Sequence, residues 1–272
     1  MAPKALIQNG FLDHDRLNIV SRHLQSQGYD VAEFDPDPGQ IDRLPLAPDV
    51  FIFAPLWVML RLLDRAGLTG QVLPSYPDCL SDMLHRDLWQ GRFCDLARSA
   101  AAQQRPVFVK TRTVTGRIGP YGFGAQIVAS LDVLQDHLQT APDFGICCAA
   151  PVDWLSEWRV YVTGGAIIGA SLYRPDLPDL SDLSPQCVID FDIATAAVRR
   201  LVNRGQGAAG FCIDIGVMQG GQTALIEVND GIALVNYALD PALHADLHRL
   251  RWRELMVLLG GMKKGPPDRR PF

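Results

Sequence analysis

GFCIDIGVMQGGQTALIEVNDGIALVNYAL, residues 210–239, holds two apolar runs separated by a glycine turn. The first run, residues 211–218, reads as a strand with Asp214 in its middle. The turn is Gln219-Gly220-Gly221-Gln222, and paired glycines supply the positive φ of a tight hairpin. The second strand, residues 223–228, leads into Glu227, Val228 and Asn229. Glu227 and Asn229 are two apart, so on a strand they share a face, and a hairpin brings Asp214 beside them. Two carboxylates and an amide oxygen form a donor set suited to Mg2+, which takes one or two carboxylates and leaves its other positions to phosphate and water. Carboxylates on a greasy strand are costly unless something positive lies between them.

Composition bounds what surrounds this stretch. With 272 residues, 48% hydrophobic and 20% charged, the chain can bury a large core and form two or three subdomains. A net charge of -5 argues against a general nucleic-acid binder. The N-terminus, MAPKALIQNG, lacks the apolar core and cleavage site of a signal peptide. No run reaches the roughly 18 apolar residues of a membrane span. The cysteines at 79, 94, 147, 148, 187 and 212 form no CxxC pair, which fits reduced thiols in a cytoplasmic protein.

Before the hairpin, residues 4–9 read as a strand. A helix capped by Asp13 or Asp15 and ended by Gly28 follows, and then a strand in YDVAEFD. DVFIFA, residues 49–54, is a continuous apolar run typical of a buried parallel strand, with a helix after it over 56–66 and an edge strand expected over 71–75. No GxGxxG or GxxxxGK[ST] loop is present, so this first α/β domain reads as a scaffold. Residues 79–102 read as helical, with Arg86 inside. VFVK, residues 107–110, is a short strand ending on Lys110, and lysine is seldom buried without a partner. The loop after it carries Gly116, Gly119, Gly122 and Gly124 with Thr115, Arg112 and Arg117. It reads either as a phosphate cradle or as a flexible hairpin with solvated arginines.

Ala150 and Val152 lie in a connector of small and apolar residues, which can bind a purine through backbone groups. EWRVYV, residues 157–162, places Arg159 either toward a phosphate or in a surface pair with Glu157. Asp192 is read as the cap of a helix ending near Asn203. A long helix follows over 241–259. Its HADLH segment lacks the glutamate of the metalloprotease pattern, so His244 and His248 are expected on an exposed face. The tail, residues 261–272, is basic, rich in proline and expected to be frayed.

Lysine strand, glycine loop, plain connector, arginine strand, then Asp and Glu-x-Asn together resemble the ATP-grasp superfamily. More closely they resemble its small clade named for two conserved arginines and a lysine. VFVK, EWRVYV, DIGV (214–217) and LIEVNDG (225–231) carry the resemblance, which covers roughly residues 78–245. It implies an α+β (α/β) ATP-grasp fold behind an N-terminal Rossmann-like pre-ATP-grasp domain. The corresponding segments are 1–76, then 77–148 with the glycine loop, 149–260 with the metal site, and the flexible tail. It implies ATP with Mg2+ or Mn2+ as cofactors. Lys110 would contact the α- and β-phosphates, and Thr115 and Gly116 would lie in the loop closing over them. Ala150 and Val152 would hold the adenine, and Arg86 would stand in for an earlier ATP-binding lysine. Arg159 would hold the γ-phosphate or acyl phosphate, with Arg174 as the second arginine. Asp214, Glu227 and Asn229 would coordinate the metal. Many relatives carry a ribose-binding glutamate where this chain has Ala149-Ala150.

The implied reaction is carboxylate–amine ligation through an acylphosphate, releasing ADP and phosphate. Its partners would be a small-molecule or peptide carboxylate and an amine, with no nucleic acid and no membrane. Homodimerisation stays open. A phosphotransferase that stops at phosphorylation and a nucleotide-binding regulatory module without turnover are the alternatives.

Overall fold

The computed structural model describes residues 2–92, 95, 106–111, 125–129, 145–173 and 184–263. The chain packs as two compact units, one of Met1–Met83 with Leu155–Phe272 and the other of Leu84–Trp154.

The first unit begins with β1 (Lys4–Gln8), α1 (His14–Ser26), β2 (Asp30–Phe34), the short α2 (Pro38–Ile41), β3 (Val50–Phe53) and α3 (Leu56–Ala66). The strands form a parallel three-stranded sheet in the order β2-β1-β3. β3 reads VFIF and is buried along its whole length, as a parallel strand covered on both faces must be. Asp13 caps α1 by accepting from the Arg16 N–H at 2.8 Å. The segment after α3 forms a 3-10 turn over Thr69–Gln71 and no edge strand. Its backbone is tied instead to later parts of the chain: Val228 N–H donates to the Ser75 carbonyl and Leu73 N–H to the Asp230 carboxylate.

A late helix completes the core of this sheet. α4 (Phe191–Asn203) and α5 (Pro241–Lys263) are the helices of the C-terminal half. On α5, Ala245, Trp252, Leu255, Met256 and Leu259 share one buried cluster with β1, β3, α1 and α3. The Trp252 indole N–H donates to the Val50 carbonyl at 2.7 Å. His244, His248, Arg251, Trp252, Leu255 and Leu259 are all buried, at the i, i+4, i+7 spacing of one helix stripe. The exposed histidine face read from the sequence is therefore corrected. Helical spacing puts both imidazoles on the stripe that Trp252 and Leu255 drive into the core.

The second sheet of this unit contains β8 (Trp154–Thr163), β9 (Ala166–Leu172), β10 (Gly210–Met218) and β11 (Thr223–Asp230), in the order β11-β10-β8-β9. β10 and β11 are the antiparallel hairpin read from the sequence, with Gly221 at φ 78° in its turn. Gly210 and Gly231 meet where the hairpin begins and ends. A Cβ on Gly210 would strike the Leu247 carbonyl of α5, and one on Gly231 would strike the Gly210 carbonyl. α4 packs on β9 and β10 through Ala194, Ala197, Val198 and Leu201. Its N-cap is Asp190, which accepts from the Asp192 N–H, so the expected cap lies two residues too late.

The other unit holds β4 (Leu88–Arg92), β5 (Val107–Thr111), β6 (Gln126–Val128) and β7 (Gly145–Ala149), antiparallel in the order β4-β7-β5-β6. The long helix read over residues 79–102 is corrected where the structure describes it. A 3-10 helix covers Asp78–Met83, His85 breaks the backbone at φ 49°, and β4 follows. A non-glycine residue in left-handed conformation cannot continue a helix, and the leucines at 80, 84 and 88 had imitated its period.

Candidate active site

The hairpin register decides which side chains meet. Asp214 pairs with Glu227 and Cys212 with Asn229, so these four share one face of the sheet. A bulge follows, because Ile215 pairs with Leu225 and Ile226 is the extra residue. On the neighbouring strand β8, Arg159 brings its guanidinium to the same place. Its Nε donates to Asp214 Oδ1 at 2.9 Å and its Nη2 to Oδ2 at 2.8 Å. The two side chains are only 6% and 5% exposed, so this is a buried bidentate ion pair. The surface Glu157–Arg159 pair considered from sequence is not what forms. The positive partner that Asp214 required is Arg159 itself.

Asn229 joins the carboxylates. Its Nδ2 donates to Asp214 Oδ2 at 2.9 Å and to Glu227 Oε1 at 3.1 Å. One amide end thus sits between two carboxylate oxygens, which shows that Asp214, Glu227 and Asn229 converge on a common point. Turning the amide over presents Oδ1 instead and gives an all-oxygen set, so the donors fit a hard divalent cation.

Two tyrosines complete the arginine's surroundings. The Arg159 guanidinium carbon lies 5.2 Å from the Tyr173 ring centroid and 5.1 Å from that of Tyr237, and the rings are 4.5 Å apart. Burial works against the Arg159 charge, but the hydrogen bonds and negative charge of Asp214 beside it outweigh this and raise its pKa. Burial, then the nearby Asp214 carboxylate, pushes the Cys212 thiol well up, so it remains a neutral S–H 3.9 Å from Asp214 Oδ1. Burial and the hydrogen bond with Tyr173 raise the Tyr237 phenol.

The segment after β11 lies against this face. Val235 O accepts from Arg159 Nη1 and from the Tyr161 hydroxyl, each at 3.4 Å, and Tyr237 N–H donates to the Tyr161 oxygen at 3.2 Å. Leu234 is held by two histidines, because His244 Nε2 lies 3.1 Å from its carbonyl and His248 Nε2 accepts its N–H at 3.3 Å. Burial lowers His244 from its ordinary 6.5 to about 4, and burial together with His244 takes His248 well below the same value. The unfolded chain therefore binds protons that the folded one refuses. Stability is complete above about pH 6.5 and falls as the pH drops toward about 4. His244 alone should remove about 2 kcal/mol at pH 5. Urea midpoints at pH 7.5 and 5.0 test this, and equal midpoints would contradict it.

Asp230, paired with Phe211 at the hairpin's end, has a structural partner. Arg251 of α5 donates to it through Nε at 2.9 Å and Nη2 at 2.6 Å, and Asp230 also accepts from Leu73 and Ile232 N–H.

Among residues expected to bind nucleotide, Lys110, Arg86, Ala150 and Val152 all lie in the unit Leu84–Trp154. Lys110 is half-buried on β5 and pairs in register with Cys147. Ala150 follows β7 and donates its N–H to the Asp87 carbonyl at 3.3 Å. Arg86 donates to the Leu84 carbonyl at 3.2 Å, with its guanidinium 5.7 Å from the Trp154 ring centroid. Thr115, Gly116 and Arg174 lie outside the described residues. The structure thus gathers Arg159, Asp214, Glu227 and Asn229 at one point. Sequence reading gave the tyrosine pair no role and set the histidine pair on an exposed face. Their signals were two aromatics near a buried arginine strand and two histidines on an apolar stripe.

A parallel sheet followed by two four-stranded sheets, with an Asp strand paired to a Glu-x-Asn strand, is the architecture of ATP-grasp proteins. The chain belongs to the ATP-grasp domain, family 2 of the clade named for two arginines and a lysine, whose model matches residues 83–247. No curated protein matches it at the sequence level. Among solved structures it resembles a RimK domain ATP-grasp protein from Sphaerobacter thermophilus, with a TM-score of 0.57 and 13% identity over 94% of this chain and 98% of that one. It also resembles N5-carboxyaminoimidazole synthetase from Staphylococcus aureus complexed with ADP, with a TM-score of 0.57 and 13% identity over 93% of this chain and 77% of that one. A third likeness is the macrocyclase MdnC bound with precursor peptide MdnA from Microcystis aeruginosa, with a TM-score of 0.51 and 12% identity over 91% and 99%. At these identities the likeness speaks to the fold. Among the described residues, no helix is long and apolar enough to cross a membrane.

Proposed function

We propose that the protein is an ATP- and Mg2+-dependent carboxylate–amine ligase. The observation that carries this reading is the meeting of Arg159, Asp214, Glu227 and Asn229 on one sheet face of an ATP-grasp chain. Structural neighbours recorded with ADP and with a precursor peptide support ATP use and carboxylate or amine substrates of small or peptide size. Asp214, Glu227 and Asn229 would hold the cation, and a bound Mg2+ supplies charge neutralisation for the phosphates. Arg159 carries a fixed positive charge at the same point and would stabilise the phosphoryl group as it moves to the substrate carboxylate. Lys110 would hold the α- and β-phosphates, Ala150 and Val152 the adenine, and Thr115, Gly116, Arg86 and Arg174 are proposed as before. Attack by the amine on the resulting acylphosphate gives the amide, with ADP and phosphate leaving. No protein nucleophile is needed.

The test uses hydroxylamine as a general amine. The purified chain with ATP, Mg2+, hydroxylamine and pools of amino acids, dipeptides and dicarboxylates should accumulate hydroxamate together with equimolar ADP. ADP with a stable phosphorylated product would mark a phosphotransferase instead, and ATP binding without ADP would mark a regulatory module. Lys110→Ala should weaken ATP binding about 10- to 100-fold in calorimetry, the loss expected for a charge-assisted phosphate contact. An unchanged affinity would remove Lys110 from the nucleotide site.

A further inference from the structure

His244 and His248 are the buried groups that the reaction above does not use. They sit one turn apart on α5, with ring centroids 4.4 Å apart, and they are 4% and 1% exposed. The bonds fix their protons. Leu234 O can only accept, so His244 must carry a proton on Nε2. Leu234 N–H can only donate, so His248 must leave its Nε2 bare and carry its proton on Nδ1. His244 Nε2–H also points at the bare His248 Nε2, 3.1 Å away. Burial keeps both imidazoles neutral, so they are in opposite tautomers. Between them they satisfy both backbone groups of one residue, as a paired strand would.

That residue precedes Val235, whose carbonyl faces Arg159 and Tyr161, and lies three before Tyr237, whose ring covers Arg159. We infer that His244 and His248 are positioning residues, a neutral imidazole clamp on Leu234 that holds Val235 and Tyr237 against Arg159 and releases them when His248 is protonated. A proton added to His248 Nε2 would meet two donors, Leu234 N–H and His244 Nε2–H, with no acceptor left.

Burial favours the neutral form of both rings and outweighs the backbone bonds with Leu234 and Ile232, which favour the proton. His244 faces two positive charges, Arg16 of α1 and Arg159 of β8. The Tyr161 ring of β8 lies edge-on at 6.4 Å, and its phenol is held neutral by burial. From β3, Phe53 covers both rings at 6.0 and 4.9 Å. His248 faces His244. The inference borrows from the ligase reading only the activity that would respond, and the experiment has readouts independent of turnover.

The full chain, labelled with 15N at histidine, is titrated by NMR. Hydrogen exchange is measured at residues 234–237 in wild type, His248→Phe and His248→Gln. At pH 7 the imidazole shifts should show one Nε2–H and one Nδ1–H tautomer, persisting well below pH 6.5. The phenylalanine fills the ring's volume without an acceptor and should speed exchange at residues 234–237 by about tenfold or more, the consequence of orphaning a buried N–H. The glutamine offers an amide oxygen near the position of Nε2 and should restore slow exchange while removing the acid sensitivity of that segment. Where hydroxamate forms, its rate should fall in acid in wild type and fall less in His248→Gln. Identical tautomers, titration of both rings near pH 6.5, or wild-type exchange in His248→Phe would overturn the clamp. If no hydroxamate forms under any condition, the ligase reading fails while the NMR and exchange results still decide the clamp.

Discussion

Asp214→Asn should abolish ADP formation and also cost about 3–5 kcal/mol of folding stability, because it leaves the Arg159 guanidinium charged and buried without its partner. The two losses have different origins, and Glu227→Gln separates them. Glu227 is half-buried, and its oxygen accepts from Asn229 at 3.1 Å, a bond that a glutamine oxygen can keep. Its stability should stay within about 1 kcal/mol of wild type while turnover is lost, since a neutral amide is a poor cation ligand. Adding Arg159→Met to Asp214→Asn should recover much of the lost stability and none of the activity, because the orphaned charge is gone. Urea denaturation and the hydroxamate assay read the two effects independently. Full turnover in Glu227→Gln would take Glu227 out of the site, and wild-type stability in Asp214→Asn would mean that the ion pair does not carry the arginine.

The second large effect is expected at Arg251, which lies where three pieces of chain join. It is 4% exposed and Asp230 is 3% exposed. Besides Asp230 it reaches the Gln71 carbonyl at 2.6 Å and Glu254 Oε2 at 2.6 Å, while Glu254 accepts from Ala209 N–H at 3.1 Å. Arg251→Met should cost about 3–5 kcal/mol, since Asp230 then keeps a buried charge with no cation beside it. Replacing Asp230 by leucine as well should not restore the loss, because Leu73 and Ile232 N–H both donate to that carboxylate. The Asp230→Asn, Arg251→Met double variant keeps an acceptor oxygen and should be more stable than Arg251→Met alone. If the two variants denature together, charge burial is not the cause.

Much of the architecture was legible because it rests on local patterns. VFIF and VFVK are short apolar runs, YDVAEFD and the glycine turn at 219–222 have clear periods, and Glu227 and Asn229 share a face by strand geometry alone. What was hidden depends on partners distant in sequence. Asp214 was expected to need a positive charge and a metal was the natural candidate, but the structure supplies Arg159, 55 residues away. HADLH looked like solvated helix because its polar letters outweighed its position, yet both histidines fall in phase with Trp252, Leu255 and Leu259. The helix expected at 79–102 had the right leucine spacing for a few residues and was broken by the backbone of His85, which no pattern announced.

The Trp252–Val50 hydrogen bond spans 202 residues. Strands β1 to β3 leave the ribosome long before the helix that covers them exists, so the first sheet waits with an apolar face exposed until residues 241–259 have been made. Folding of this unit should be slow and limited by a late, long-range closure step. A nascent chain halted before residue 241 should depend on chaperones.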